Sequence, residues 1–160
     1  MSNSLINDVA GLVKQLLSQS RYRVDVHDCD EFLDVLSFSS VDSLSRPWRY
    51  EISVTSSSPD IRSDVLLLKP ASFTLQTPMF NGAPAVPVRT VYGVVQSFRR
   101  LSASANETRY ALRLVPRLAM LQQTKNNAVF LNQSVTEVVE QVLRKHGLAG
   151  PDFEFRLTRA

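Results

Sequence analysis

Reactive and ligating side chains are scarce in this 160-residue chain, and each scarcity removes a class of function. The single cysteine, Cys29, cannot close an intrachain disulfide and has no Cys-x-x-Cys partner, which fits a reducing cytoplasm. With only His27 and His146, there is almost no raw material for a Ser-His-Asp arrangement or a histidine-based metal centre. The five glycines are not clustered, so no Walker loop or dinucleotide fingerprint is present, and no G-x-S-x-G occurs. No apolar run is long enough to span a membrane. The N-terminal apolar residues are interrupted by Asn7, Asp8 and Lys14 and follow no basic leader, so neither a span nor a cleaved signal is expected. No internal repeat marks a solenoid or propeller. These absences lead to the expectation of a protein that is not an enzyme, with no cofactor, no metal site and no stable membrane insertion.

What remains is a globular composition. Hydrophobic residues make up 44% and charged residues 21%, enough for one ordinary domain with a real core. The net charge of +3 conceals a polarity: residues 1–80 hold seven Lys/Arg against ten Asp/Glu, residues 81–160 eleven against five. Such a distribution can steer like chains or stacked partners head to tail. Arg99, Arg100, Arg109 and Arg113 belong to one hairpin without a recognition helix or stacking platform, so a solvated or partner-facing surface is favoured and nucleic acid is not an expected partner. The cluster His27, Asp28, Cys29, Asp30 and Glu31 reads as a turn between strands. Capping and solvation account for Glu137 and Glu140.

Residues 4–19 place Leu5, Ile6, Val9, Leu12, Val13, Leu16 and Leu17 on one face of an amphipathic helix that lacks the basic rim of a membrane-surface helix. Leu5, Val9, Leu12, Val13 and Leu16 are the candidate interface residues, packing on their own domain or on a neighbouring subunit or accessory protein. From Arg21 the pattern changes to strands. YRVDVHD alternates; FLDVLSFS supplies Phe32, Leu33, Val35, Leu36 and Phe38; WRYEISVTS puts Trp48, Tyr50, Ile52 and Val54 on one face. DVLLLKPASFTLQ continues the series, with Pro70 as a break or edge, and Pro78, Pro84 and Pro87 stiffen an exposed loop.

The stretch Arg89 to Leu157 is the most legible. RTVYGVVQSFRRL and TRYALRLVP form a half-buried antiparallel hairpin reversing at Ser102 to Glu107, and Pro116 ends the second strand. After a polar connector, Gln122 to Asn127, and a short apolar run, Ala128 to Leu131, Ser134 and Glu137 form a capping box. Val135, Val138, Val139, Val142 and Leu143 follow at helical spacing, and Gly147 stops the helix. The expected fold class is mainly β (α+β): an antiparallel barrel-like tube domain over 21–121, flanked by the amphipathic helix over 1–20 and by a connector and capped helix over 122–160.

The blocks GVVQSF (93–98), RYALRLVPRLAML (109–121), VFLNQSVTEVVEQVLRKHGL (129–148) and DFEFRL (152–157) occur in that order, behind LSRPWRYEISVTS (44–57) and KPASFTLQ (69–76). Their sequence over about residues 21 to 157 resembles the amino-terminal part of the VgrG spike proteins of type VI secretion, a family related to the baseplate hubs of contractile phage tails. Arg117 departs from the family pattern, standing where many relatives carry tryptophan, and Leu131 stands where glutamine is usual. The family runs on into a second tube-forming β-domain, an oligonucleotide-fold neck and a needle, so a fragment or truncated gene product is expected. The resemblance implies a structural component that matches a trimeric spike to the hexameric Hcp tube, a homotrimer in the intact protein with baseplate contacts. It also implies assembly in the cytoplasm followed by export through the secretion system to the cell exterior or a target cell. The alternatives are a binding adaptor that recruits baseplate or effector proteins and a phage-like hub component.

Overall fold

A computed structural model describes residues 21–77, 85–104 and 106–157; the helix expected over 4–19 and most of the expected proline-stiffened loop lie outside them. Six antiparallel strands, β1 (Tyr22–Val26), β2 (Asp34–Ser43), β3 (Arg46–Ser56), β4 (Pro70–Gln76), β5 (Pro87–Ala103) and β6 (Thr108–Val115), close into a ring in the order β1-β2-β3-β6-β5-β4. The alternation that marked the strands decides which side chains enter it. Tyr50, Ile52 and Val54 of β3 and Tyr110, Leu112 and Leu114 of β6 are almost fully buried, while Arg109 is exposed. Burying each such side chain stabilises the fold by about 1.5–3 kcal/mol. Phe73 sits at the centre, 4.8 Å from the Phe38 ring and 5.5 Å from Tyr50, and Phe98 stacks on Tyr110 at 5.1 Å.

Five shifts of register bend the strands enough to close the sheet. One of them, a bulge between Val35 and Ser37, turns Leu36 outward, and it is 47% exposed. A correction to the sequence reading concerns DVLLLKP. Ser63–Leu66 is a helical turn, α1, not the start of a strand, because the link from β3 to β4 has to cross one end of the ring. Leu66 drops into the core and Leu67 and Leu68 stay outside, a pattern of one in three that a short apolar run does not disclose. The plug is held by Tyr110, whose hydroxyl accepts from the Ile61 N–H at 3.1 Å and donates to the Ser58 carbonyl at 2.9 Å. Pro70 opens β4, where no preceding ladder bond is needed.

Gly93 is required where β5 passes from one neighbour to the other. A Cβ there would run into the Val115 carbonyl oxygen and lie 2.9 Å from the Trp48 ring. The hairpin is as expected, except that β5 begins at Pro87 and runs on to Ala103, two residues into the expected reversal. β6 ends at Val115, before Pro116.

Beyond Pro116 the chain forms a second, thinner layer: a 3-10 segment, Arg117–Gln123, an irregular connector, and helix α2 (Val135–Lys145). The capping box is present, with the Ser134 N–H donating to Glu137 Oε2 at 2.7 Å. At the other end Leu148 N–H donates to the Leu143 carbonyl and Gly147 N–H to that of Arg144, a Schellman closure with Gly147 at φ 76°. The expected apolar face is not buried as a whole. Leu143 is covered, but Val135 is 81% and Val139 40% exposed, because only the C-terminal turn reaches the ring. Arg117 ties the 3-10 segment to the end of the helix: its guanidinium donates to the Gly147 carbonyl at 3.2 Å and lies 3.8 Å from Asp152.

Candidate assembly surface

The ring is closed unevenly, and the irregularity leaves two strand edges. β1 meets β2 at one pair only, Arg23 with Asp34, although β2 runs nine residues further, paired with β3 throughout. Among the described residues no strand covers the outer edge of β2 from Val35 to Ser43. On β5 the partner changes at Val94: β4 pairs with the first part and β6 with the second. At Val95 the side away from β6 is satisfied by Leu68 and Lys69, and past it no described strand follows. Two hairpins thus project, β2–β3 with Leu44 96% exposed at its tip, and β5–β6 closed by Ser104 and Glu107. Unpaired N–H and C=O rows of this kind are templates for another strand.

The two edges differ in charge. Past its one pair with β1, β2 carries Asp42, which lies 3.5 Å from Arg89, and no base; β5 past Val95 carries Arg99 and Arg100 and no acid. Arg100 donates to the Pro59 carbonyl at 3.2 Å and lies 3.7 Å from Asp60, Arg113 pairs with Glu51 at 2.6 Å, and Arg109 lies 3.6 Å from Glu107. The basic hairpin expected to be solvated or partner-facing is therefore mostly neutralised within the chain.

The cluster from His27 to Glu31 is the turn between β1 and β2 that the sequence suggested. Asp28 takes a positive φ of 57° and its carboxylate lies 3.6 Å from Lys69, and partial burial pushes the Cys29 thiol up. Among the described residues no group of three or more His, Cys, Asp or Glu converges as a metal site. Glu137 is engaged in the cap, its carboxyl held below the usual range by the backbone N–H and hydroxyl of Ser134, and Glu140 pairs with Arg144 at 2.7 Å. Leu5, Val9, Leu12, Val13 and Leu16 lie outside the described residues. The two edges went unseen in the sequence because pairing register, not residue type, exposes them. The one available signal was the mismatch between a 17-residue β5 and a seven-residue β4.

Residues 41–160 match the family model of the phage tail baseplate hub (GPD), three quarters of the chain. This chain belongs to the phage tail baseplate hub family. Among hub relatives, it is 33% identical over 146 residues to the type VI secretion system spike protein VgrG1b of Pseudomonas aeruginosa, covering 91% of this chain and 19% of that protein. It is 31% identical over 140 residues to VgrG4b of the same organism, covering 88% and 16%. The E. coli c3393 structure, described as a component of the type VI secretion system similar to the T4 tail proteins gp27 and gp5, superposes with a TM-score of 0.67 at 35% identity. That superposition covers 77% of this chain and 32% of the other. The chain thus spans less than a fifth of the length of these two Pseudomonas relatives. Among the described residues no helix is long and apolar enough to cross a membrane.

Proposed function

We propose that this chain is the tube-adapter portion of a type VI spike, a shaped part without a reaction of its own. In this reading related rings stand side by side into an annulus that matches a trimeric spike to the hexameric Hcp tube. Assembly takes place in the cytoplasm, against baseplate proteins, before export. The observation that carries the reading is the pair of open edges, one on β2 from Val35 to Ser43 and one on β5 past Val95. Unlike edges on one molecule join head to tail and close into a ring when the rotation allows, whereas like edges stop at a dimer. The likeness to VgrG spike proteins and to c3393 supports the setting. The test is to place Arg99→Glu and Arg100→Glu, separately and with Asp42→Lys, in the full-length spike and follow its assembly and Hcp capture by sedimentation and pull-down. Each single reversal is expected to weaken assembly, and opposite reversals mixed in trans to restore part of it. Unchanged assembly in all of them overturns the edge-to-edge reading.

A further inference from the structure

The outer wall of the ring carries a run of arginines that only the strand register assembles. Arg49 of β3, Arg113 and Arg109 of β6 and Arg99 of β5 point away from the core, because Tyr50, Leu112, Tyr110 and Phe98 beside them along the strands point in. Arg113 lies opposite Glu51 and Ser97, and Arg99 opposite Ala111, so successive arginines in the order 49, 113, 99, 109 are diagonal neighbours about 7–8 Å apart. Glu51 takes Arg113, and Glu107 lies 3.6 Å from Arg109. Arg49 and Arg99 have no ion-pair partner among the described residues and are exposed. The complementary feature is the turn between β1 and β2. Residues 24–34 carry Asp25, Asp28, Asp30, Glu31 and Asp34 and no Lys or Arg. Arg23 takes Asp25 and Lys69 takes Asp28, whereas exposed Asp30 and Glu31 face no base; the Glu31 carboxylate accepts from the Ser58 hydroxyl.

We propose that a second copy of this chain seats its β1–β2 turn against the arginine run, with Asp30 and Glu31 meeting Arg49 and Arg99. The turn and Arg49 cannot meet within one copy. Glu31 touches Ser58, beyond the end of β3, and from Arg49 to Ser56 that strand runs about 23 Å. Between the arginines the outward positions are Ser53, Thr55, Ser97 and Ala111, so the guanidinium groups stand above a floor of small side chains that a narrow turn can approach. That floor has no aromatic ring to stack a base, and Arg113 and Arg109 already hold carboxylates, which favours a protein partner over nucleic acid. Phe32, 44% exposed beside Glu31, offers apolar surface to an arginine stem. The contact is heterologous: the copy that gives its turn keeps a free arginine run, and the copy that receives it keeps a free turn, so association continues with concentration. Exposed ion pairs each contribute little and are screened by salt, so the contact steers and orients copies and is weak and salt-sensitive. The inference stands apart from the open-edge reading, because β3 is paired on both sides and Asp30 precedes β2.

Sedimentation velocity of the 160-residue chain over a concentration series, at about 0.02 M and about 0.5 M salt, tests this. At low salt the sedimentation coefficient is expected to climb with concentration, and at high salt to climb much less. Arg49→Glu alone and Asp30→Lys alone are each expected to weaken the low-salt association about tenfold. The two variants mixed, or both changes placed in one chain, are expected to recover most of it, because opposite charges then meet again. A monomer at every concentration in low salt overturns the proposal. So does association that neither reversal changes, or a double variant no better than the single ones. Association that disappears on nuclease treatment overturns it in favour of nucleic acid. If either reversal fails to fold, as judged by far-ultraviolet circular dichroism, Arg49→Gln and Asp30→Asn supply the single-variant comparison with a smaller loss.

Discussion

The ring and the layer that follows Pro116 use comparable local chemistry but differ in how that chemistry is supported. In the ring, strands are held by side chains far away in sequence: Tyr110 is tied to Ser58 and Ile61, Glu51 to Arg113, and the Phe73 ring packs at a tilt against Phe38 and Tyr50. In the C-terminal layer the named bonds are short-range: Ser134 with Glu137, Glu140 with Arg144, and Val142 with His146. Arg117 supplies the two long-range ties, to Gly147 and Asp152, and Leu143 and Leu148 the buried contact. A segment stabilised by its own caps and pairs opens at a lower free energy than one embedded in a shared core. The ring is expected to set global stability and the C-terminal layer to open on its own.

Substitutions can break that contrast. Leu112→Ala, deleting a 1% exposed side chain at the centre of β6, is expected to cost about 3 kcal/mol in the denaturant midpoint of the whole chain. Gly93→Ala is expected to cost about 2–3 kcal/mol, since the new methyl meets the Val115 carbonyl rather than a movable side chain. Tyr110→Phe leaves the Ile61 N–H without its partner and should cost about 2 kcal/mol, accelerating amide exchange in the plug over 57–66 before the rest of the ring. Gly147→Ala forces a side chain into the left-handed region and should cost about 1 kcal/mol. Its effect should show as faster exchange of α2 amides with the ring midpoint unmoved; a global loss as large as that of Leu112→Ala would show that the two layers unfold as one.

The smallest effect is a pH dependence. The Glu137 carboxyl is depressed by its bonds to Ser134, so its contribution to α2 is complete above the ordinary glutamate value of about 4.3 and is lost as pH falls through the lowered one. Amide exchange at Val138 and Val139 should rise over that acidic interval, and Glu137→Gln should remove most of the dependence. A dependence that survives this substitution would point to a different titrating group.

Each element that could be read from the chain is one whose determinants are neighbours in sequence. The capping box at Ser134, the stop at Gly147, the β5–β6 hairpin and the inward faces of β3 and β6 follow from spacing of three to four or of two, because local backbone geometry repeats with those periods. Family membership was legible for a related reason, since the order of such blocks survives along a chain. What tertiary structure alone decided is where those elements meet. Leu36 faces solvent because a bulge shifts register, Ser63–Leu66 coils because the ring needs a plug, and Val135 and Val139 stay exposed because α2 touches the ring only at its end. The open edges on β2 and β5 belong with these, since an edge is defined by a partner strand that stops, and nothing in the strand itself announces where its partner will end.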